Sequence, residues 1–458
     1  MDKDPSEKHS REFPAGFAWG VSTSAHQVEG NNSNNQWFTW EKAGRIKSRD
    51  QAGLACDWWS NAEQDFDLAK TLGVNALRLS IEWSRIEPKE NVWDKEALQR
   101  YRTMLIALRD RGLRPFVTLH HFTNPLWFEA KGAFASPESV PLFERFTRRV
   151  VESLGDLCCD WSTFNEPNVY VSLGYFLGEF PPGKRGRFLQ AARVTENLCR
   201  AHAAAYRAIH QLQPEAQVGW AQHYVVFKPR SKKSAIDRWM AGFIDRRFND
   251  NFADSIRTGR APFPLDMLGH SLPEVKDTCD YVGINYYIRL RVGFSLRSRK
   301  TMFFQLTVPP HKPQGDPGVE IPYGEAFPKG LRHAVRRFLP FNKPLYILEN
   351  GVPDRADRLR PWMLESTFQQ MHRLLADGAD LRGYFHWTLA DNFEWNEGWH
   401  LRFGLFELDP ETQTRRPRPS AAVYTRLILG TNGHRDSSSG EPAEAAELEP
   451  AFVPENQP

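Results

Sequence analysis

Cysteine is scarce in this sequence. There are five in 458 residues, too few and too odd a number for a disulfide framework, so free thiols in a reducing compartment are the simpler expectation. The first residues, MDKDPSEKHSREF, are charged and contain no apolar stretch. No secretory leader is expected from them, and the expected compartment is the cytoplasm. No run of about 18 uncharged apolar residues occurs, which argues against a membrane span. Charge of one sign is not in excess either: 59 Lys and Arg face 56 Asp and Glu, a net of +3, so nucleic acid is not expected as a partner. The G-x-G spacing of a dinucleotide-binding turn is missing. H-E-x-x-H and C-x-x-C are missing too, and His120 and His121, as neighbours on a strand, point to opposite faces. Neither a metal nor a cofactor is expected. Without G-x-S-x-G, an α/β-hydrolase triad has no support.

Strand-like and helix-like segments alternate through the rest. Eight apolar or β-branched runs occur at 17–27, 76–83, 114–122, 160–167, 217–227, 281–287, 344–351 and 381–391. Amphipathic stretches lie between them. In 94–112, Leu98, Tyr101, Leu105 and Leu108 share one face, and 195–212 and 362–378 behave likewise. Gly112 and Gly378 stand where helices end. Eight such units predict an α/β chain folded as a single (β/α)8 TIM barrel over 13–430. A doubly wound sheet is the rival, since it shows the same alternation. Residues 431–458 hold six acidic residues against one Arg and no apolar periodicity, and are expected to form a disordered tail; 1–12 reads as a flexible lead-in.

In a barrel, chemistry sits at the C-terminal ends of the strands. Those ends offer Gln27, Glu29, Glu82, Arg85, His120, His121, Asn165, Glu166, His223, Asn285, Tyr287, Glu349, Asn350, Trp387 and Asp391, a ring of groups suited to sugar hydroxyls. Two carboxylates, Glu166 in TFNEP and Glu349 in YILENG, each close an apolar strand. Cleaving a glycosidic bond needs such a pair, one carboxyl to protonate the leaving oxygen and one to attack the anomeric carbon or to activate water. A capping or salt-bridged Glu is the alternative reading for either one alone. Fifteen Trp also suit sugar faces, although any single Trp is equally explained by core packing.

The motifs FPAGFAWGVSTSAHQVEG, LRLSIEWSRIEP, TFNEP, GINYY, ILENG, LADNFEWNEGW and RFGL, in that order across 13–430, resemble family 1 of the glycoside hydrolases, the β-glucosidase and β-galactosidase type. The resemblance implies a (β/α)8 barrel that cleaves small β-glycosides with retention, one terminal residue at a time and with no cofactor. It implies Glu166 as general acid/base and Glu349 as nucleophile, with Arg78 and Tyr287 supplying donors to Glu349. It implies Gln27, His121, Asn165, Asn285, Glu394 and Trp395 as sugar-binding residues, Trp387 as the stacking platform and Phe403 as a pocket wall. An ionised Glu394 would accept from two sugar hydroxyls at once.

Three departures stand out. Phe122 replaces the family's Trp after the pocket His, which keeps an apolar wall but loses an N–H donor. Leu348 replaces a small polar residue before Glu349. Where relatives that act on 6-phosphosugars carry Ser and Lys, this chain has the carboxylate of Glu394, which would repel a phosphate. A 6-phospho-β-glycosidase and a catalytically silent sugar-binding protein on the same fold are the alternative functions. The segment 289–312 has six Lys and Arg, no acid, and interleaved Phe and Leu. It reads either as a long loop over the barrel mouth or as a surface for anionic lipid or a hydrophobic aglycone. Aglycone choice is expected to depend on Asn124, Trp127, His223 and 289–325. The oligomeric state is not legible.

Overall fold

The computed structural model describes residues 13–301, 303–319 and 323–431. Eight strands form the barrel: β1 (Ala18–Ser22), β2 (Ala76–Ser80), β3 (Arg114–His120), β4 (Asp160–Asn165), β5 (Gln217–Pro229), β6 (Val282–Phe294), β7 (Leu345–Asn350) and β8 (Leu381–Trp387). Each pairs in parallel with the next, and β8 pairs with β1, so the sheet closes with no edge. A doubly wound sheet would leave two open edges, and closure excludes it. All eight expected strands are present. The first is shorter than expected, because Ala25–Val28 turns into a short helix. Strands covered on both faces must be apolar throughout, which is why they read as continuous runs.

The lower barrel interior is filled by Ala18, Ala76, Phe116, Ala221, Tyr281, Tyr346, Leu348 and Phe385. Large rings meet small partners. The Phe116 ring lies 4.8 Å from Phe385 and 5.5 Å from Tyr346, and a Cβ on Gly20 would fall 2.3 Å from the Phe385 ring. Leu348 finds its explanation here: its Cδ1 occupies the place a side chain on Gly283 would need. It packs the barrel directly below the C-terminal end of β7.

The helices form the outer layer. Lys95–Asp110 buries Leu98, Tyr101, Leu105 and Leu108 as its spacing predicts. Phe188–Leu212 begins seven residues earlier than the apolar pattern suggests, and Arg360–Ala376 matches its expected stretch. Gly112 and Gly378 follow two of these helices with left-handed φ of 72° and 87°, which a residue with a Cβ adopts only at a cost. The last helix runs Pro419–Thr431 and so takes in the first residue of the expected tail; the rest of that tail and 1–12 lie outside the described residues. Among the described residues no helix is long and apolar enough to cross a membrane. All five cysteines are free thiols.

One expectation needs correction. The start of 289–312 is not a loop. β5 and β6 continue past the barrel rim as a paired ribbon, with Pro229 opposite Val292. β6 then pairs antiparallel with Phe304–Thr307 and with Glu325–Ala326. The pairing satisfies backbone groups that a loop of this length would have to leave to solvent.

Asp391 lies inside the protein, not at the barrel mouth. Its two oxygens accept from Arg418 at 2.9 and 2.7 Å and from the Gly404 N–H at 2.9 Å. This ties the loop that carries Glu394 to the chain entering the last helix. Arg418→Met should leave a buried carboxylate uncompensated and lower unfolding free energy by about 3–5 kcal/mol. Arg382→Met, whose partner Asp380 is exposed, should cost less than about 1 kcal/mol. Urea unfolding of the two variants checks the contrast.

Candidate active site

A cavity of about 280 Å³ opens at the C-terminal end of the barrel, and Glu166 and Glu349 both line it. Irregular backbone aims them. Along β7, the step from Ile347 to Glu349 faces a single step on β6, from Ile284 to Asn285. β4 advances three residues, Ser162 to Asn165, while β5 advances two. β6 carries a third extra residue beside Tyr287. Consecutive residues of a regular strand face opposite sides, and a bulge re-aims them. Leu348 and Glu349 can therefore both face the barrel axis. Glu166 follows β4 with φ 45° and ψ 58° and precedes Pro167, which opens the next helix. A left-handed backbone at a residue with a Cβ costs of order 1 kcal/mol. Here the Glu166 N–H, donating to Ala221 O at 2.8 Å, holds it.

A chain of hydrogen bonds joins the two carboxyls beneath the cavity floor. Arg78 is fully buried. Its Nη1 donates to Glu349 Oε1, its Nη2 to Asn165 Oδ1 at 2.7 Å and its Nε to Thr118 Oγ1 at 3.1 Å. The Tyr287 hydroxyl donates to Glu349 Oε2 at 2.6 Å. Asn285 Nδ2 donates to Asn165 Oδ1 at 3.0 Å and to Glu166 Oε1 at 2.9 Å. His223 Nδ1 donates to the same Oε1 at 2.7 Å. Among the described residues nothing bonds Glu166 Oε2. His223 is the partner that sequence reasoning missed. Its place at a strand end was visible, but its contact with Glu166 depends on β5 lying beside β4.

His121, Asn165, Trp387, Glu394 and Trp395 line the cavity with the two carboxyls. His121 Nε2 accepts from Asn165 Nδ2 at 3.0 Å, and its Nδ1 has no partner among the described residues. Burial and the Arg78 charge push its pKa well down, so the ring is neutral. Trp387 and Trp395 lie on either side of it, with ring centres at 6.1 and 5.8 Å. Phe122 forms part of the wall, edge-on to Trp395. Gln27 stands behind the wall, donating to Phe393 O at 2.8 Å and reaching to 3.4 Å from Glu394 Oε2. Phe403 packs with Tyr287, Trp387 and Leu401. Tyr323, which no sequence pattern singles out, also lines the cavity.

Several strand-end residues are not brought to the cavity. Glu29, Glu82 and Arg85 form a buried network with Tyr101. His120 bonds Asn124 on the outer face of β3. Asn350 donates to Tyr286 O. These groups hold the loops in place.

Burial dominates the electrostatics. It pushes the Glu349 carboxyl up to about 7, with the charge of Glu166 adding and Arg78 and Tyr287 opposing. It pushes Glu394 up to about 8, with Glu349 adding and a bond from Trp387 opposing. Burial and the neighbouring carboxyls thus oppose an ionised Glu394. Lys47, the cation on the wall, lies 2.7 Å from Glu397 and 3.8 Å from Glu179.

Two carboxyls on one sugar-sized, aromatic-walled cavity at a barrel mouth define a glycoside hydrolase. The chain belongs to glycosyl hydrolase family 1, whose family model matches residues 9–433. It is 31% identical to a β-galactosidase of Sulfolobus acidocaldarius over 92% of this chain and 96% of that protein. It is 31% identical to β-glucosidase A of Thermotoga maritima over 93% and 99%. Among solved structures, a β-glycosidase from Pyrococcus horikoshii superposes with a TM-score of 0.82 at 37% identity, covering 92% of this chain and 95% of that one. The T. maritima β-glucosidase in complex with glucoimidazole gives a TM-score of 0.83 at 30% identity, covering 92% and 99%.

The state of Glu394 has a measurable consequence. Sugar hydroxyls that donate to it favour the ionised form and lower its pKa. A neutral sugar ligand should therefore release protons on binding near pH 7, and its affinity should rise with pH until about 8. Calorimetry in buffers of different ionisation enthalpy measures the release, and Glu394→Gln should reduce it.

Proposed function

We propose that this protein is an exo-acting retaining β-glycosidase, acting on glucosides first and on galactosides and fucosides as companions. The observation that carries the reading is the unequal solvation of two carboxyls on one cavity. Both oxygens of Glu349 receive donors, from Arg78 and Tyr287, which suits an anion that attacks the anomeric carbon. Glu166 takes both of its donors on Oε1. Its proton then belongs on Oε2, which faces no competing group and is the oxygen that protonates the leaving group. Once its proton has gone to the leaving group, Glu166 serves as the base for the incoming water that releases the sugar from Glu349.

The neutral His121 offers its Nδ1–H to a hydroxyl, Glu394 binds another, and Trp387 supplies an aromatic face. The engagement of Lys47 with Glu397 and Glu179 supports unphosphorylated sugars over 6-phosphosugars. The presence of both carboxyls weighs against a silent binding protein. We read residues 13–430 as one catalytic unit, and the free thiols support a reducing compartment such as the cytoplasm.

The two roles separate by leaving group. Glu166→Gln should lower kcat/KM, which reports the glycosylation step, by about 10²–10⁴-fold on cellobiose and far less on a dinitrophenyl β-glucoside, whose leaving group needs no proton. Glu349→Gln should abolish turnover of both. Equal losses of kcat/KM on both substrates in Glu166→Gln would refute the assignment. His223→Phe removes one of the two donors that reserve Oε2 for the proton. Its kcat should fall on cellobiose with KM nearly unchanged, and steady-state kinetics on the same pair of substrates reads the difference.

A further inference from the structure

The ribbon of β5 and β6 does more than frame the cavity. At its base, His223, Tyr287 and Ile288 line the cavity. From Ile288 the strand runs on to Phe294, roughly 20 Å at about 3.3 Å per residue. The helix Ala235–Asn249 packs against this extension, burying Met240 and Ala241 against Val225, Phe227 and Val292. Its Phe248 also lines the cavity. Helix, ribbon and cavity wall are one packed unit.

The outer side of this unit is apolar where a solvated surface would be polar. Trp239 is 62% exposed and Leu296 69%, with Ile236 and Phe303 also exposed. They are not scattered. The Trp239 ring stacks on Phe243 at 5.5 Å, Phe243 stacks on Phe304 at 6.4 Å, and Phe303 lies 6.1 Å from Phe294. The strip runs from the helix across the hairpin to its tip.

Within the two segments that form the strip, charge is almost all of one sign, while Asp250, Asp254 and Asp266 lie near Arg247 at its edge. Residues 228–247 contain seven Lys and Arg, and 289–312 contain six, against two acids in all. That is an excess of eleven positive charges in a chain whose total excess is three. Both acids are turned inward: Asp237 accepts from the Phe294 and Ser231 N–H groups, and Asp245 pairs with Arg337. Lys232, Lys233, Arg238, Arg297 and Arg299 are exposed.

We propose that this face docks on an anionic lipid bilayer. A Trp and aliphatic side chains ringed by Lys and Arg match the boundary between headgroups and acyl chains, and the basic ring complements anionic headgroups. A second copy of the chain is disfavoured, because a two-fold contact sets like charges against like. A nucleic acid would leave Ile236 and Leu296 without partners, since such surfaces are polar. Docking brings the cavity, built on the same ribbon, to the membrane. The substrates so reached are β-glycosides whose aglycone is anchored in that bilayer; this consequence, unlike the docking, rests on the glycosidase reading.

Co-sedimentation of the full chain with vesicles tests the docking without any turnover. Vesicles of phosphatidylcholine with about one-third phosphatidylserine should pellet the protein at least about tenfold better than phosphatidylcholine alone. The difference should collapse between about 0.1 M and about 1 M salt, as the reach of charge falls from about 10 Å to about 3 Å. The double variant Ile236→Ser/Trp239→Ser and the triple variant Lys232→Glu/Lys233→Glu/Arg238→Glu should each cut binding at least about tenfold. Both should hydrolyse nitrophenyl β-glucoside as wild type does, which shows that they fold. No pelleting with anionic vesicles at low salt would overturn the proposal, as would binding that neither variant reduces. Dimerisation abolished by the variants, or RNA binding in the absence of vesicle binding, would assign the face to a different partner and overturn it as well.

Discussion

The site depends on one buried guanidinium. Arg78, on β2, has no access to solvent, and a cation taken out of water is tolerable only when each of its donors has a partner. Those partners come from three other strands: Thr118 on β3, Asn165 on β4 and Glu349 on β7. Asn165 passes the connection to Asn285 on β6 and so to Glu166. Because Arg78 is planar and donates in a fixed fork, it sets the distance and angle between Glu349 and the neighbour of Glu166. The carboxyl pair is thus held by the requirement to solvate a charge, which is stricter than packing.

Around that fork the barrel departs from regularity where the chemistry needs it. β4, β6 and β7 each carry an extra residue near the cavity, and Glu166 sits in left-handed backbone. The regular lower half, with Phe116, Tyr346, Phe385 and Leu348 packed against glycine and alanine, is the rigid platform on which such local strain persists. The same extra residue on β6 lies where the barrel passes into the protruding ribbon, so the cavity wall and the exposed aromatic strip share one backbone.

Burial also sets the protonation chemistry. The apolar and aromatic wall raises Glu349 and Glu394 together, so burial opposes ionising both. A ligand that donates hydrogen bonds to either carboxyl would favour its ionised form.

The sequence by itself determined the architecture and the identity of the two glutamates. Parallel barrel strands are buried on both faces and must be apolar along their length, so eight of them are visible as runs, and TFNEP and ILENG mark two of their ends. Helix faces such as Leu98, Tyr101, Leu105 and Leu108 were legible because their period is local. Only the tertiary structure decided the rest. Whether a strand-end group faces the cavity depends on register: the bulge at Leu348 and Glu349 turns two neighbours to one side, while Glu29 is captured by Arg85 and Tyr101, Glu82 by Thr123 and Asp391 by Arg418, from distant parts of the chain. The contact of His223 with Glu166, and the raised pKa of Glu394, depend on what closes over them. Periodicity and residue type act over a few neighbours along the chain, whereas burial, register and charge pairing are set by groups that only the closed barrel brings together.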